Sequence, residues 1–378
     1  MPRSILLSFL LVFLAAPASA EEKSAVVSSD KEKFRIEIIA RGLDHPWGLA
    51  FLPDGRMLVS ERPGRLRILD RDGKLSPPVA GVPAVAAVGQ GGLLDVVLAP
   101  DFAASRRIYF SFAEPRGDAN GTSVAHARLV EEKEAARLDD LKVIFRQEPA
   151  IRGGFHFGSR LAFARDGNLF VTLGERNLKD PAQDLTGHLG KVVRIRPDGT
   201  VPPDNPFVGR ADARPENWSY GHRNPQSAAI HPMTGKLWIV EHGPKGGDEI
   251  NVPLAGKNYG WPVIGYGVDY SGAKIHENTH KEGMEQPIYY WVPSIAPSGM
   301  AFYTGDAFPG WRGNLFVGAL VLKHLNRLEL DGEKIVKEER LLKDFGERIR
   351  DVRQGPDGTL WLLTDASDGK VLHLVPAK

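Results

Sequence analysis

The sequence predicts an all-β protein, a six-bladed β-propeller, on three observations. One pattern occurs six times: an apolar stretch, a turn containing Asp-Gly or an equivalent, then a β-rich run ending in a small or acidic residue. Runs such as Met57-Leu58-Val59, Ile108-Tyr109-Phe110 and Leu169-Phe170-Val171 carry the β-branched and aromatic residues that suit strands, and Asp-Gly supplies a positive-φ turn. The 378 residues include 41 Gly and 28 Pro, above average usage, so the chain turns often.

Taken in order, Phe34–Ala40 alternates like a strand and is expected to pair beside Val371–Val375, closing the ring and protecting the edges of the last blade. The six hairpins are Trp47–Glu61, Leu94–Phe112, Ser159–Glu175, Gln226–Glu241, Ser298–Ala319 and Ile349–Asp365. Further strands, Leu66–Leu69, Val192–Ile195, Leu325–Leu330 and Val371–Val375, trail most copies, so each unit becomes a three- or four-stranded sheet. Six units give about 60 residues each against roughly 40–50 for a propeller blade, which leaves room for long loops. A sandwich is the competing all-β architecture, but six similar hairpins at long, uneven spacing favour radial repetition.

Residues 1–20 read as an export leader: Arg3, an apolar run Ile5–Ala16 too short to span a bilayer, and a small-residue cleavage box Ala18-Ser19-Ala20. Residues 21–378 then form one domain, periplasmic or secreted, without stable membrane insertion. Arg3 leaves with the leader, which makes the 48 Lys and Arg equal in number to the 47 Asp and Glu and removes the basic excess of a nucleic-acid binder. No Cys is present, so disulfides, thiolate zinc sites and a Cys nucleophile are excluded, and any metal rests on His, carboxylates and carbonyls. No GxSxG elbow or phosphate-cradling GK[ST] loop occurs. Monomer and homodimer are both compatible with this composition.

Chemistry must come from the loops, because a propeller alone specifies none. Gly89–Gly92, Gly153–Gly158, Tyr220–Pro225, Glu241–Glu249 and Arg348–Asp351 are denser in polar and glycine residues than turns require, and corresponding connections of successive blades converge on one face. Residue type leaves two readings open for each candidate. His156 is either a packed histidine or a general base. Arg223, Lys323, Arg348 and Arg350 are either paired surface charges or a converging set for a multiply anionic ligand. Asp248 and Glu249 are either a surface acidic pair or part of a calcium site, since carboxylates beside carbonyl-exposing glycines suit a hard cation.

The segments GLDHPWGLAFLPDGRMLVSERPGRL, GQGGLLDVVLAPDF, HFGSRLAF, WSYGHRNPQ, EHGPKGGDEINVPLAGKNYGWP, SGMAFY and RIRDVRQGPDG together resemble the soluble quinoprotein dehydrogenases of aldose sugars, the family of PQQ-dependent aldose sugar and soluble glucose dehydrogenases. The resemblance extends over nearly all of residues 21–378, and Tyr220–Pro225 and Glu241–Pro262 are its most specific parts. It implies a six-bladed propeller holding pyrroloquinoline quinone (PQQ) on one face, oxidation of an aldose at C1 to the lactone, and passage of electrons to an acceptor that it does not identify. It makes His156 the base. Gln90, Arg223, Asn224, Lys323, Arg348 and Arg350 match PQQ-contacting positions, with Tyr270, in a variable loop, beside the cofactor. The carbonyls of Gly243 and Pro244 match ligands of the calcium against PQQ, and Glu249 and Tyr259 match a further calcium site. One departure stands out: the glucose dehydrogenase branch has an Asp before the base, and here that neighbour is Phe155, so the usual orienting carboxylate is absent from that position. A metal-dependent lactonase and a cofactor-free binding module are the alternatives on the same scaffold.

Overall fold

Three of the six hairpins turn on Asp-Gly, and all three turns are built alike in the computed structural model, which describes residues 26–133 and 135–377. Gly55, Gly167 and Gly358 sit at φ of 85°, 83° and 75°. Their N–H groups donate to the carbonyls of Leu52, Ala164 and Gly355 at 2.9, 3.0 and 3.0 Å. The preceding Asp54, Asp166 and Asp357 each accept from the amide two residues on, at 3.0, 3.0 and 3.1 Å. The aspartate caps the turn and the glycine takes the left-handed backbone that a side chain would strain.

Each hairpin supplies the two inner strands of an antiparallel sheet, and there are six such sheets among the described residues. Blade 1 has three strands, Pro46–Phe51, Met57–Glu61 and Arg65–Leu69. Blades 2 to 5 have four each and begin with Leu93–Leu98, Leu161–Phe163, Pro225–Ile230 and Pro297–Phe302. Blade 6 begins with Ile349–Gln354 and carries five. The innermost strands pack against one another in chain order, the sixth returning to the first. The apolar core is accordingly divided among the blade interfaces: Leu52 and Leu58 meet Phe110 and Phe112 between blades 1 and 2, and Trp238 and Val240 meet Met300 and Val317 between blades 4 and 5.

The ring closes as the alternating N-terminal strand predicts. Lys33–Leu43 pairs with Gly369–Pro376, Arg35 opposite Val375 and Ala40 opposite Val371, and Val27–Ser28 adds a fifth strand outside it. Phe34 is fully buried, 5.4 Å edge-on to Trp311 of blade 5. The leader read over residues 1–20 lies outside the described residues; among those described, no helix is long and apolar enough to cross a membrane.

Antiparallel order sorts the loops. The turn between the first two strands of every blade falls on one face, while the connection into each blade and the loop between its second and third strands fall on the other. All the glycine-rich loops belong to this second face. Beneath it the channel is closed by ions from the inner strands: Arg160 bridges Asp95 and Asp351 at 3.1 and 3.0 Å, and Arg353 bridges the same two at 2.9 Å each. Charges so paired and buried are costly to separate, so they form a rigid floor.

Candidate active site

Above that floor lies a cavity of about 220 Å³ lined by Trp47, Arg62, Gln90, Gln226, His242, Arg348, Arg350 and Asp365, among others. Trp47 forms its base and stacks on Arg160, whose guanidinium carbon is 4.1 Å from the ring. Three guanidinium groups face one carboxylate. Arg348 and Arg350 both donate to Asp365, at 2.8 and 3.1 Å, and hold its carboxyl well below the usual range against the effect of burial. The Nε atoms of Arg350 and Arg223 and the Nδ2 of Asn224 are buried without a partner among the described residues. With three guanidinium groups against one carboxylate, the wall carries surplus positive charge and suits a ligand rich in carboxylates or carbonyls.

His156 stands at the edge of this cavity, 6% exposed, beside Phe157 and Gly158 of its lining. Its backbone N–H donates to Gln90 Oε1 at 2.9 Å, and Asn224 Oδ1 accepts from Gly158 N at 3.1 Å, so three of the predicted residues are tied together. Its Nδ1 lies 2.6 Å from Glu175 Oε1. The carboxylate absent at position 155 is thus supplied from the end of the next hairpin. Because a carboxylate accepts, Nδ1 carries the hydrogen and Nε2 keeps its lone pair; Nε2 has no partner among the described residues and is not sealed from solvent. Burial, with Arg223 and Arg176 nearby, lowers the pKa of the ring in spite of Glu175, which keeps it neutral.

Strain collects on this face. His156, Arg176, Asn177, Lys179, Ala296 and Lys323 all adopt positive φ, between 48° and 65°. Arg176 holds the His156 loop in place: it donates to the carbonyls of Phe155, Asn120 and Gly153 and to Asn120 Oδ1 at 2.7–3.1 Å, and lies 3.9 Å over the Phe157 ring. Glu175, Arg176, Trp47, Arg62, Gln226 and His242 are the residues that sequence reasoning missed. A signal for the first was present, since the repeat ends in an acidic residue in four of its copies, Glu61, Glu175, Glu241 and Asp365.

A second, smaller cavity adjoins the first across His242 and is lined by Arg223, Glu241, Gly243, Pro244, Glu249 and Tyr259. Here carboxylates collect: burial and the nearby Glu241 raise the pKa of Glu249. The Tyr259 hydroxyl donates to the Val252 carbonyl and accepts from Leu254 N at 2.9 Å, leaving its backbone carbonyl for any ligand. The Gly243 carbonyl accepts from Arg223 Nη1 at 2.7 Å. Asp248 accepts from Gly243 N, Ile295 N and Ala296 N at 2.7–3.0 Å and so fixes the loop that presents Gly243 and Pro244. Burial pushes its carboxyl up to about 6. Among the described residues no three His, Asp or Glu side chains converge as a metal site, so a hard cation here rests largely on carbonyls.

The predicted residues therefore fall into three groups. Gln90, Arg348 and Arg350 line the first cavity, with His156 and Asn224 bonded to its lining; Arg223, Gly243, Pro244, Glu249 and Tyr259 line the second. Lys323 is exposed and lines neither cavity, and Tyr270 is 70% exposed on its loop, whose base is joined by the Asp269–Lys179 pair at 3.5 Å.

Comparison with known proteins identifies the family. The sequence model of the Glucose / Sorbosone dehydrogenase family matches residues 43–373. Aldose sugar dehydrogenase YliI of Escherichia coli is 50% identical over 345 residues, covering 90% of this chain and 92% of that protein. A crystal structure of a glucose dehydrogenase is 56% identical with a TM-score of 0.88, covering 91% of this chain and 99% of the other. The PQQ-bound aldose sugar dehydrogenase of Streptomyces coelicolor is 30% identical with a TM-score of 0.76, covering 91% and 98%. The chain belongs to the glucose/sorbosone dehydrogenase family of oxidoreductases, in the branch of the soluble aldose sugar and glucose dehydrogenases.

Proposed function

We propose that this protein is a PQQ- and calcium-dependent aldose dehydrogenase that oxidises the C1 hydroxyl of a cyclic sugar to the lactone. The observation that carries the reading is the neutral His156, backed by Glu175, at the edge of a cavity with three guanidinium groups and one carboxylate. PQQ, when bound, supplies an ortho-quinone that accepts hydride, and its three carboxylates match the cationic wall. Arg348, Arg350, Gln90 and Asn224 would hold it, with Arg223, which lines the second cavity and donates to the His242 carbonyl, beside them. The carbonyls of Gly243 and Pro244 would hold one calcium, and Glu249 with the Tyr259 carbonyl another, neutralising carboxylates that burial otherwise opposes.

His156 Nε2 takes the proton of the C1 hydroxyl as the C1 hydride leaves. The positive charge that develops on its ring is met by Glu175, which also fixes the tautomer. Trp47 and Leu320, both buried, give the cavity an apolar side. The two electrons then pass to an acceptor outside the chain. An export leader over residues 1–20 places this chemistry in the periplasm or outside the cell, where cofactor and metal are loaded.

The test is reconstitution. Metal-stripped protein is titrated with PQQ with and without calcium, and dye reduction is followed with a panel of aldoses. Reduction that requires PQQ, calcium and sugar together is expected. Folded protein that binds no PQQ would overturn the reading in favour of a lactonase or a binding module.

A further inference from the structure

The wall of the first cavity donates almost everywhere. Arg62, Arg348 and Arg350 present guanidinium N–H groups, and the carboxylate of Asp365 is already taken up by two of them. Gln90 spends its oxygen on the His156 amide, and Gln226 spends its oxygen on Arg350. His242 is different. Its ring separates the two cavities and lines both.

The Nε2 of His242 lies 2.6 Å from the carbonyl of Pro297. A carbonyl only accepts, so Nε2 carries the hydrogen and Nδ1 of the neutral ring is left with a lone pair. The backbone on either side is fixed: His242 N donates to the Asn224 carbonyl and Arg223 Nη1 donates to the His242 carbonyl, each at 3.1 Å. Nδ1 makes no hydrogen bond among the described residues, nor is it among the buried polar atoms sealed from solvent. It therefore opens on the space its ring divides.

We propose that His242 is a ligand-reading residue whose Nδ1 accepts a hydrogen bond from an N–H or O–H group of the molecule held in the cavity. Two molecules offer such a group under the function proposed above, on which this inference rests: the pyrrole N–H of PQQ and a hydroxyl of the sugar. A ligand made only of carboxylates and carbonyls leaves this acceptor unmatched, so His242 selects within the class of anions that the arginines attract. Leaving a buried donor of the ligand unpaired is expected to weaken binding about tenfold.

The experiment uses the full-length protein with calcium and follows PQQ binding by quenching of tryptophan fluorescence, since Trp47 and Trp261 border the cavities. His242→Gln keeps an N–H for Pro297 and an acceptor oxygen; His242→Leu removes both. If the cofactor is the source, the Leu variant binds PQQ about tenfold more weakly while the Gln variant stays within about threefold of the parent. If the sugar is the source, PQQ affinity is unchanged and the KM for D-glucose of the PQQ-loaded Leu variant rises about tenfold. Unchanged PQQ affinity and unchanged KM in a folded Leu variant overturn the proposal. Should that variant not fold, nitrogen-15 NMR of the histidine-labelled parent decides: the His242 Nδ1 resonance, identified by its loss in the Gln variant, shifts upfield on addition of PQQ or D-glucose, and an unmoved resonance overturns the proposal. A parent protein that binds no PQQ at all overturns the functional reading first, and that outcome is read before any variant is made.

Discussion

Blades 3 and 4 each pair a histidine from the loop before their inner strand with a glutamate at, or two residues past, the end of their second strand, and the two pairs have different fates. His156 Nδ1 meets Glu175 at 2.6 Å, and His222 Nδ1 meets Glu241 at 2.9 Å. In blade 4 the second ring nitrogen is bonded to Ser219 Oγ at 2.8 Å, the ring stacks on Tyr259 at 4.8 Å, and the side chain is wholly buried. In blade 3 the second nitrogen has no partner among the described residues and reaches solvent. The repeat thus provides a structural device, a ring oriented by an acid; one missing contact turns the device into a candidate base. Blade 6 repeats it with Arg348 in place of histidine and Asp365 as the acid.

The largest effect is expected at the open pair. His156→Ala is expected to lower kcat about a thousandfold or more while PQQ affinity, read by fluorescence titration, stays near that of the parent. The sealed twin behaves oppositely: His222→Ala leaves Glu241 and Ser219 without their partner, so thermal unfolding should show a loss of roughly 3 kcal/mol, with turnover per folded molecule far less affected. Equal kinetic losses in the two variants would erase the distinction. In blade 6, Arg348→Met removes one of three guanidinium groups from the cavity and is expected to weaken PQQ binding by roughly tenfold to a hundredfold.

Glu175→Gln probes the acid of the open pair. Glu175 raises the pKa of His156, so its removal lowers that pKa. Activity needs the neutral ring and therefore rises with pH through this pKa; the acid limb of the kcat profile should move to lower pH, with kcat about tenfold lower through the lost stabilisation of the protonated ring. A limb that stays in place would assign it to another group. The smallest effect is expected in the second cavity, where calcium raises the unfolding temperature of the parent and Glu249→Gln reduces that rise by a few degrees.

Much of the fold was legible because its signals are local. Asp54-Gly55, Asp166-Gly167 and Asp357-Gly358 announce turns within four residues, and the strands they join are short runs of three to six residues. The alternation of Phe34–Ala40 announced a strand, and the need to close a ring suggested its partner at the C-terminus. The site was legible only in part. Residue type could not distinguish His156 from His222, because the difference is whether one nitrogen finds a partner in three dimensions. Resemblance pointed to the arginines, and the structure brings Arg348 and Arg350 together with Asp365. Glu175 was hidden in plain view as the acidic end of a repeat, and Arg176 was one more arginine until its partners proved to be carbonyls of the His156 loop. The orienting acid missing beside His156 in sequence was expected at the neighbouring position; it comes instead from 19 residues downstream, where the strand returns to the same face.

The pairing of Lys33–Leu43 with Gly369–Pro376 is also a clasp, and the cavity sits across its seam. Arg348, Arg350 and Asp365 come from the clasped blade, while Trp47, Arg62 and Gln90 come from the start of the ring. A nascent chain that has not yet released Gly369–Pro376 has no closed ring to hold the two sides of the cavity together, so ligand capture must wait for that strand. Conversely, any molecule that bridges Arg350 and Gln90 spans the joint between the last blade and the first two, and its binding energy becomes resistance to opening of the ring.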